Sequence, residues 1–71
     1  MNDPKTRKEI SNKLKKIRED KGMTQEDVAT KAEINTNYYA QIERGVVNTS
    51  VNVLLRIAKA LGVKSAEILP Y

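Results

Sequence analysis

Apolar residues recur along this chain at spacings of three and four, the period of an amphipathic helix rather than of a strand. Ile10, Leu14 and Ile17 form the first such stripe and predict a helix from about Lys8 to Lys21. Gly22 follows directly, and glycine is the usual residue just beyond a helix C-terminus. The first predicted helix therefore has a defined end.

The start of this helix leaves two alternatives. Asp3 followed by Pro4 is a helix-start signal, because proline fits the first helical position. Residues 1–7 are therefore either an extra stretch of helix or a flexible arm.

Two short helices follow, each with its own capping residue. Thr24 precedes the second helix and has Asp27 three positions on, which makes a shortened capping box. Asn35 caps the third helix and Gly45 closes it. The connection, residues 32–34, is only about three residues long, which favours a sharp crossing of the two helices. The residues predicted to face inward are Val28, Ala29, Ala32, Tyr39 and Ile42.

A fourth helix begins after Ser50 and stops at Gly62, and a short last turn ends at Pro70. The predicted inward residues of these elements are Val51, Leu54, Ile57, Ala58, Leu61, Ile68 and Leu69. The whole pattern predicts an all-α fold, a compact domain of five helices over residues 1–71 with one small core.

The amino-acid composition limits the kinds of chemical site that the chain can form. The 71 residues include no cysteine and no histidine, which excludes disulfides and thiolate metal sites, and we expect neither a metal nor a cofactor. The net charge of +4 comes from residues 1–21, and the rest of the chain is balanced. A basic leading helix suits a polyanionic partner, but it suits a merely solvated helix face equally well. The N-terminus lacks a signal-peptide pattern and no apolar run is long enough to span a membrane, so we expect a cytoplasmic protein.

Three blocks in order, "IREDKGMTQEDVA", "QIERG" and "LLRIAKALGV", resemble the Cro and lambda-repressor (XRE-type) family of helix-turn-helix DNA-binding proteins. The resemblance covers most of the chain and implies a lambda-repressor-like fold with the helix-turn-helix at about residues 25–44. Two positions depart from the family pattern. Glu33 stands where the family has a corner glycine with positive φ, and Thr49 stands where a proline usually precedes the fourth helix.

The resemblance implies a function in sequence-specific binding of double-stranded DNA, with the third helix in the major groove. With Tyr39 and Ile42 buried, the other side of this helix presents polar residues. Asn37 and Gln41 can each pair with adenine, and Thr36 can offer its methyl group to thymine. By resemblance to the family, Thr36, Asn37 and Gln41 are the base-contacting positions; the alternative is a solvated helix face.

A second group of residues is expected at the phosphate backbone, whose contacts carry most of the affinity. Gln25 begins the second helix, at the positive end of its dipole. Asn35 holds the same place at the start of the third helix, although capping alone would also explain it. Tyr38 either contacts a phosphate or packs at the edge of the core. Long-range attraction is expected from Lys5, Arg7, Lys8 and Lys15. The predicted phosphate contacts are Gln25, Asn35, Tyr38, Arg44, Asn48 and Ser50.

Arg18 and Glu43 match a pair that, in the family, forms a partly buried salt bridge between the first helix and the end of the third. The resemblance therefore implies a mainly structural role for both residues. Removing one partner of such a pair is costly, about 3–5 kcal/mol.

Regulators of this kind usually act as dimers on two half-sites, so we expect a homodimer on a pseudo-palindromic operator. Candidate interface residues are apolar ones that the core does not need: Val46, Val47, Val53, Val63 and Tyr71.

Two other functions remain possible from sequence. The chain is alternatively an antitoxin or a protein-interaction module that keeps the fold, although the polar third helix favours DNA. An enzyme is not expected, because no nucleophile and base can be paired. No small-molecule effector is evident, and a repressor and an operon controller look alike at this length.

Overall fold

The computed structural model describes residues 3–69 and contains four α-helices and a 3-10 turn. The helices are α1 (Pro4–Asp20), α2 (Gln25–Ala32), α3 (Thr36–Arg44) and α4 (Val51–Leu61), and the 3-10 turn is Ser65–Glu67. Residues 3–69 contain no strand, so the all-α prediction is confirmed, whereas the predicted fifth helix is a single 3-10 turn. No helix in this range has the length and apolar content needed to cross a bilayer.

The first helix begins earlier than Lys8, the residue from which the apolar stripe predicted it. Asp3 caps α1: one carboxylate oxygen accepts from the Thr6 backbone N–H at 2.9 Å, and the other accepts from the Thr6 hydroxyl at 2.7 Å. Pro4 then occupies the first helical position, where its missing N–H costs nothing. Residues 4–7 are thus the start of α1, and residues 1 and 2 lie outside the described range.

The other helix boundaries follow the predicted caps. The Thr24 hydroxyl accepts from the Asp27 N–H at 3.0 Å, and the Asp27 carboxylate accepts from the Thr24 N–H at 2.9 Å. Ser50 caps α4 through the Val53 N–H at 3.2 Å. These local hydrogen bonds satisfy first-turn donors that have no partner within a helix.

The corner between α2 and α3 is tight. Glu33 has φ 59° and ψ 45°, the left-handed conformation that the family's glycine takes at this corner, and the Ile34 N–H donates to the Ala29 carbonyl at 2.9 Å. Arg56 of α4 donates to the Glu33 carbonyl at 2.7 Å. A hydrogen bond from α4 therefore stabilises the corner, and it offsets part of the cost of a non-glycine residue at positive φ.

The core lies between two pairs of helices, because α1 packs on α3 and α2 packs on α4. Tyr39 and Leu14 are its largest fully buried side chains. Val51 was predicted to face inward, but it is 41% exposed, because it begins α4 at the edge of the packed face. The remaining buried apolar residues are Ile10, Val28, Ala29, Ala32, Ile42, Leu54, Ile57, Ala58, Leu61 and Ile68.

Candidate nucleic-acid interface

The outward side of α3 is polar and uncharged over its first turns. Tyr39 is fully buried and Ile42 nearly so, which turns Thr36, Asn37 and Gln41 outward, where all three are exposed. Thr36 and Asn37 belong to the first turn, and Gln41 follows Asn37 at the i+4 position, on the same side of the helix. The structure therefore brings the three predicted base-contacting residues onto one exposed surface.

The start of α3 holds two of the residues predicted at the phosphate backbone. The Asn35 side-chain oxygen accepts from the backbone N–H groups of Asn37 at 2.8 Å and Tyr38 at 3.2 Å. The Asn35 oxygen is thus occupied by capping. Tyr38 is half-buried and packs against the core, one of the two alternatives left open for it.

Gln25 lies at the first position of α2, as predicted, but its side chain is engaged elsewhere. Its Nε2 donates to Glu43 Oε1 at 3.1 Å, which links the start of α2 to the end of α3. This contact, between residues 18 positions apart, gave no signal in the sequence. The phosphate donor left at this end of α2 is the backbone, because the first N–H groups of a helix have no partner within it.

Arg18 and Glu43 form an ion pair between α1 and α3. The Arg18 guanidinium donates from Nε and Nη2 to the two Glu43 carboxylate oxygens, and from Nη1 to the Met23 carbonyl at 2.9 Å. The side chains are only 12% and 3% exposed. With Gln25 on the same carboxylate, the pair joins α1, α2 and α3 beneath the polar side of α3.

The charge of this pair is stabilised by its own hydrogen bonds. Burial raises the pKa of the Glu43 carboxyl, but the hydrogen bonds and charge of Arg18 and the hydrogen bond from Gln25 lower it, and the net shift is downward. The hydrogen bond to Glu43 raises the pKa of Arg18. Burial raises the pKa of the Tyr39 hydroxyl, and the Glu43 charge raises it further. Tyr39 is therefore neutral beside a charged Glu43. Its oxygen is the one buried side-chain polar atom within residues 3–69 that meets no partner at good hydrogen-bond geometry.

The segment between α3 and α4, residues 45–50, carries two more of the predicted phosphate contacts. Asn48 and Ser50 are exposed on it, and Arg44 is exposed in the last turn of α3. Arg7, from which long-range attraction was expected, contacts this segment directly. Its Nη1 donates to Asn48 Oδ1 at 2.8 Å and its Nε to the Gly45 carbonyl at 3.3 Å.

A second polar surface is an open groove of about 960 Å³ at the C-terminal ends of α1, α2 and α4. Four basic side chains line it, Lys21, Lys31, Arg56 and Lys59, together with Glu33. No residue of α3 lines this groove. The cations of the groove are therefore separate from the polar side of α3, and we call this surface the basic groove.

Three large apolar residues are exposed within residues 3–69: Val46 at 57%, Leu55 at 43% and Val51 at 41%. Val51 and Leu55 lie one turn apart on α4. Of the predicted interface residues, Val47, Val53 and Val63 are partly buried against the core, and Tyr71 lies outside the described range. The predicted inward residues of α4 include Leu54 and not Leu55, in agreement with the burial of Leu54 and the exposure of Leu55.

In the described part of the chain, no three His, Cys, Asp or Glu side chains lie close enough together to hold a metal ion.

Comparison with known proteins places the chain among regulators of transcription. The family model described as helix-turn-helix matches residues 14–68. The chain is 36% identical over 62 residues to y4dJ of Sinorhizobium fredii, described as an uncharacterized HTH-type transcriptional regulator, and the match covers 87% of this chain and 80% of that protein. It is 37% identical over 60 residues to the control protein C.BamHI of Bacillus amyloliquefaciens, covering 83% of this chain and 74% of that one.

Among solved structures, the chain is similar to the restriction-modification controller protein C.Esp1396I, solved as a tetramer in complex with its natural 35 base-pair operator. The TM-score is 0.82 at 39% identity, covering 86% of this chain and 80% of that one. The residues matched by the family model, 14–68, include the whole of α3.

Proposed function

Because the chain belongs to the helix-turn-helix family of DNA-binding transcription regulators, of the Cro and lambda-repressor (XRE) type, we propose that it is a small prokaryotic or phage regulator that binds a specific operator in double-stranded DNA. The observation that carries this proposal is the joint exposure of Thr36, Asn37 and Gln41 on the first turns of α3. The controller protein that it resembles was solved on its own operator, which supports the same conclusion.

In this proposal α3 enters the major groove and reads base edges. An Asn or Gln amide offers a donor and an acceptor side by side, which matches the N6 and N7 edge of adenine. Asn37 and Gln41 supply two such amides one helical turn apart, and the Thr36 methyl group suits a thymine methyl. These neutral amides suit adenine rather than guanine, whose edge presents two acceptors and so suits Arg or Lys.

Backbone contacts surround this reading surface. The N-terminal ends of α2 and α3 supply backbone N–H groups with positive helix-dipole ends, which attract phosphate without a cation. Arg44 and the segment 45–50 extend the contact beyond the end of α3. In this arrangement Gln25 contributes through its backbone N–H, since its side chain holds Glu43. The remaining candidate phosphate contacts are Asn35, Tyr38, Asn48 and Ser50.

We further propose that the regulator acts as a dimer on a pseudo-palindromic operator. One α3 reads only a few base pairs, and two copies related by a two-fold axis read half-sites about 34 Å apart. Val51 and Leu55, exposed one turn apart on α4, are the apolar residues best placed to form the contact. A dimer interface buries such residues and so removes them from water.

Selection of bound sequences from random duplex DNA tests the reading function. The expected result is an enriched motif with two inverted half-sites, recovered by the wild-type chain and altered at one base position by Gln41→Ala. If no motif is enriched and binding does not weaken as salt rises, the regulator proposal fails and the protein-interaction alternative takes its place.

Sedimentation of Leu55→Glu tests the dimer. A charge at a buried apolar contact should shift the chain to monomer at concentrations where the wild type is dimeric. Asn52→Glu is the matched control, because Asn52 is exposed on the same helix and is not apolar. A wild-type chain that stays monomeric both free and on its operator would contradict the dimer.

A further inference from the structure

The start of α1 lies against the segment that leads from α3 to α4. Arg7 belongs to α1, and its two contacts on this segment join residues about forty positions apart in sequence. The segment itself includes Asn48 and Ser50, two of the residues proposed to contact phosphate. Arg7 therefore connects the first helix to a part of the proposed DNA surface.

The two contacts fix both the backbone and a side chain of the segment. Arg7 Nε donates to the Gly45 carbonyl at 3.3 Å, and Nη1 donates to Asn48 Oδ1 at 2.8 Å. A guanidinium is planar and presents its donors in a rigid fork, so one Arg side chain can define the distance between two acceptors. A flexible ammonium at this position would not do so.

Close packing at Gly45 adds to this restraint. A Cβ atom at Gly45 would lie 3.2 Å from the Ser11 hydroxyl oxygen and 3.6 Å from the Arg7 carbonyl oxygen, so the chain passes directly over α1. Ser11 is fully buried there, and Val47 packs against the core one residue before Asn48. The segment is thus packed against the rest of the protein at Gly45 and again at Val47, just before Asn48.

The chemistry of arginine decides which way the Asn48 amide faces. An Asn amide has one acceptor oxygen and one NH₂ group with two donors, whereas a guanidinium has donors only. Arg7 can therefore bind only the oxygen of Asn48. The Asn48 NH₂ group then lies on the other arm of the amide, and the residue is exposed. This arrangement leaves two donors for an acceptor in solution, and the phosphate oxygens of DNA are acceptors only.

We propose that Arg7 is a positioning residue for DNA binding: it holds the Asn48 side-chain oxygen so that Asn48 Nδ2 donates to a backbone phosphate. The proposal rests on the proposed function, and it assigns the orientation of a contact rather than a new ligand. Arg7 itself then acts through Asn48 and not as a phosphate ligand.

Binding titrations on the selected duplex separate geometry from charge. Arg7→Lys keeps the charge and removes the fork, and it should weaken binding about tenfold, the loss of one hydrogen bond to a charged group. Lys5→Gln is the matched control, because Lys5 is exposed on the same end of α1 and the variant removes one charge without touching residues 45–48. It should change affinity less than Arg7→Lys does. A thermal melt of each variant identifies a temperature at which all of them are folded, and the titrations are carried out at that temperature.

A double-mutant cycle then tests whether Arg7 acts through Asn48. Asn48→Ala alone should weaken binding about tenfold, and adding Arg7→Lys should cost no more, because both changes remove the same contact. The loss should be equal on specific and random duplexes, as expected for a backbone contact. Independent, additive losses would overturn the proposal. Wild-type affinity in Arg7→Lys would do so as well.

The salt dependence gives an independent readout. If Arg7 were itself a phosphate ligand, Arg7→Gln would lower the slope of log K against log salt by about 0.9. The proposal expects Arg7→Gln to lower affinity with that slope nearly unchanged.

Side-chain NMR provides a test that does not depend on the stability of a variant. The Asn48 NH₂ resonances of the wild-type chain should shift when the duplex is added, and the NH₂ resonances of Asn52 should not. Unmoved Asn48 resonances on a bound duplex overturn the positioning role alone. A wild-type chain with no salt-dependent binding to any duplex overturns the proposed function as well.

Discussion

Two polar surfaces of this molecule are built at different ends of its helices. The proposed reading surface lies at the start of α3 and carries the neutral residues Thr36, Asn37 and Gln41. The basic groove lies where α1, α2 and α4 end, and it carries Lys21, Lys31, Arg56 and Lys59. The surface proposed to meet a polyanion therefore has fewer cations than the groove.

Helix dipoles explain this difference. The N-terminal end of a helix carries roughly half a positive charge and the C-terminal end roughly half a negative one. Cations are stabilised at the groove because three C-terminal ends meet there, and Arg56 also donates to the Glu33 carbonyl at the end of α2. Phosphates can be held at the N-terminal ends by backbone N–H groups. The positions of lysines alone are thus a poor guide to the DNA surface in a small helical domain.

The largest expected effect comes from breaking the pair that supports the reading surface. Glu43→Gln leaves the Arg18 guanidinium buried without its counter-charge, so we expect a loss of about 3–5 kcal/mol in the free energy of unfolding. Urea denaturation measures it. Glu9→Gln is the control, since Glu9 is exposed on α1, and it should change stability little. Equal stabilities of the two variants would show that the pair contributes nothing.

The same pair predicts a dependence on pH. Because the pKa of Glu43 is lower in the folded chain than its usual value of 4.5, its contribution is present above pH 4.5 and is lost as the pH falls below that value. The caps formed by Asp3 and Asp27 lower the pKa of these carboxyls in the same direction. The contribution of Glu43 is therefore measured as the difference between wild type and Glu43→Gln in how the free energy of unfolding depends on pH. If the two curves of unfolding free energy against pH stay parallel down to pH 2, the prediction is wrong.

A smaller and more specific effect is expected at the reading surface. Gln41→Ala should weaken binding by about 1–3 kcal/mol at one base position and leave other positions unchanged. Quantitative binding to a panel of single-base operator variants measures it. A uniform loss on every duplex would mean that Gln41 contacts the backbone.

Substitutions in the basic groove should change the stability of the protein more than its affinity for DNA. Replacing Lys31 and Lys59 by Gln removes two cations from helix C-terminal ends, so we expect about 0.3–1 kcal/mol of lost stability for each. The slope of log K against log salt should hardly change. A slope that falls by about 0.9 for each lysine would show instead that the groove contacts phosphate.

The smallest effect is expected at the corner. Glu33→Gly relieves a left-handed residue, worth about 1–2 kcal/mol, and loses about 0.5–1 kcal/mol to the freedom of glycine in the unfolded chain. A net gain of about 0.5 kcal/mol should appear as a raised thermal midpoint. Thr30→Gly, within α2, is the contrasting variant and should lower the midpoint. A lower midpoint in Glu33→Gly would show that the Glu33 side chain contributes more than its backbone strain costs.

The fold was predictable wherever its signals are local. The caps at Thr24, Asn35 and Ser50 and the terminal glycines each depend on residues within a few positions, and the structure confirms them. The inward stripe of Tyr39 and Ile42 also follows from helical periodicity, and so does the outward side of α3.

The contacts that the sequence did not reveal join distant segments. Gln25 to Glu43 and Arg7 to Asn48 depend on how helices pack, and neither has a spacing that marks it. The pairing of Arg18 with Glu43 was available only through resemblance to a family. Val51 was misplaced because periodicity gives the direction of a residue on a helix but not where the packed face stops.

The approach of the chain at Gly45 to Ser11 has a consequence for how this protein can diverge. A side chain at position 45 needs the space that the Ser11 hydroxyl occupies, 3.2 Å away, as well as a tolerated positive φ of 71°. Natural variants with asparagine or alanine at position 45 should therefore carry glycine or alanine at position 11. The two positions should then co-vary across homologues, although one lies in α1 and the other follows α3.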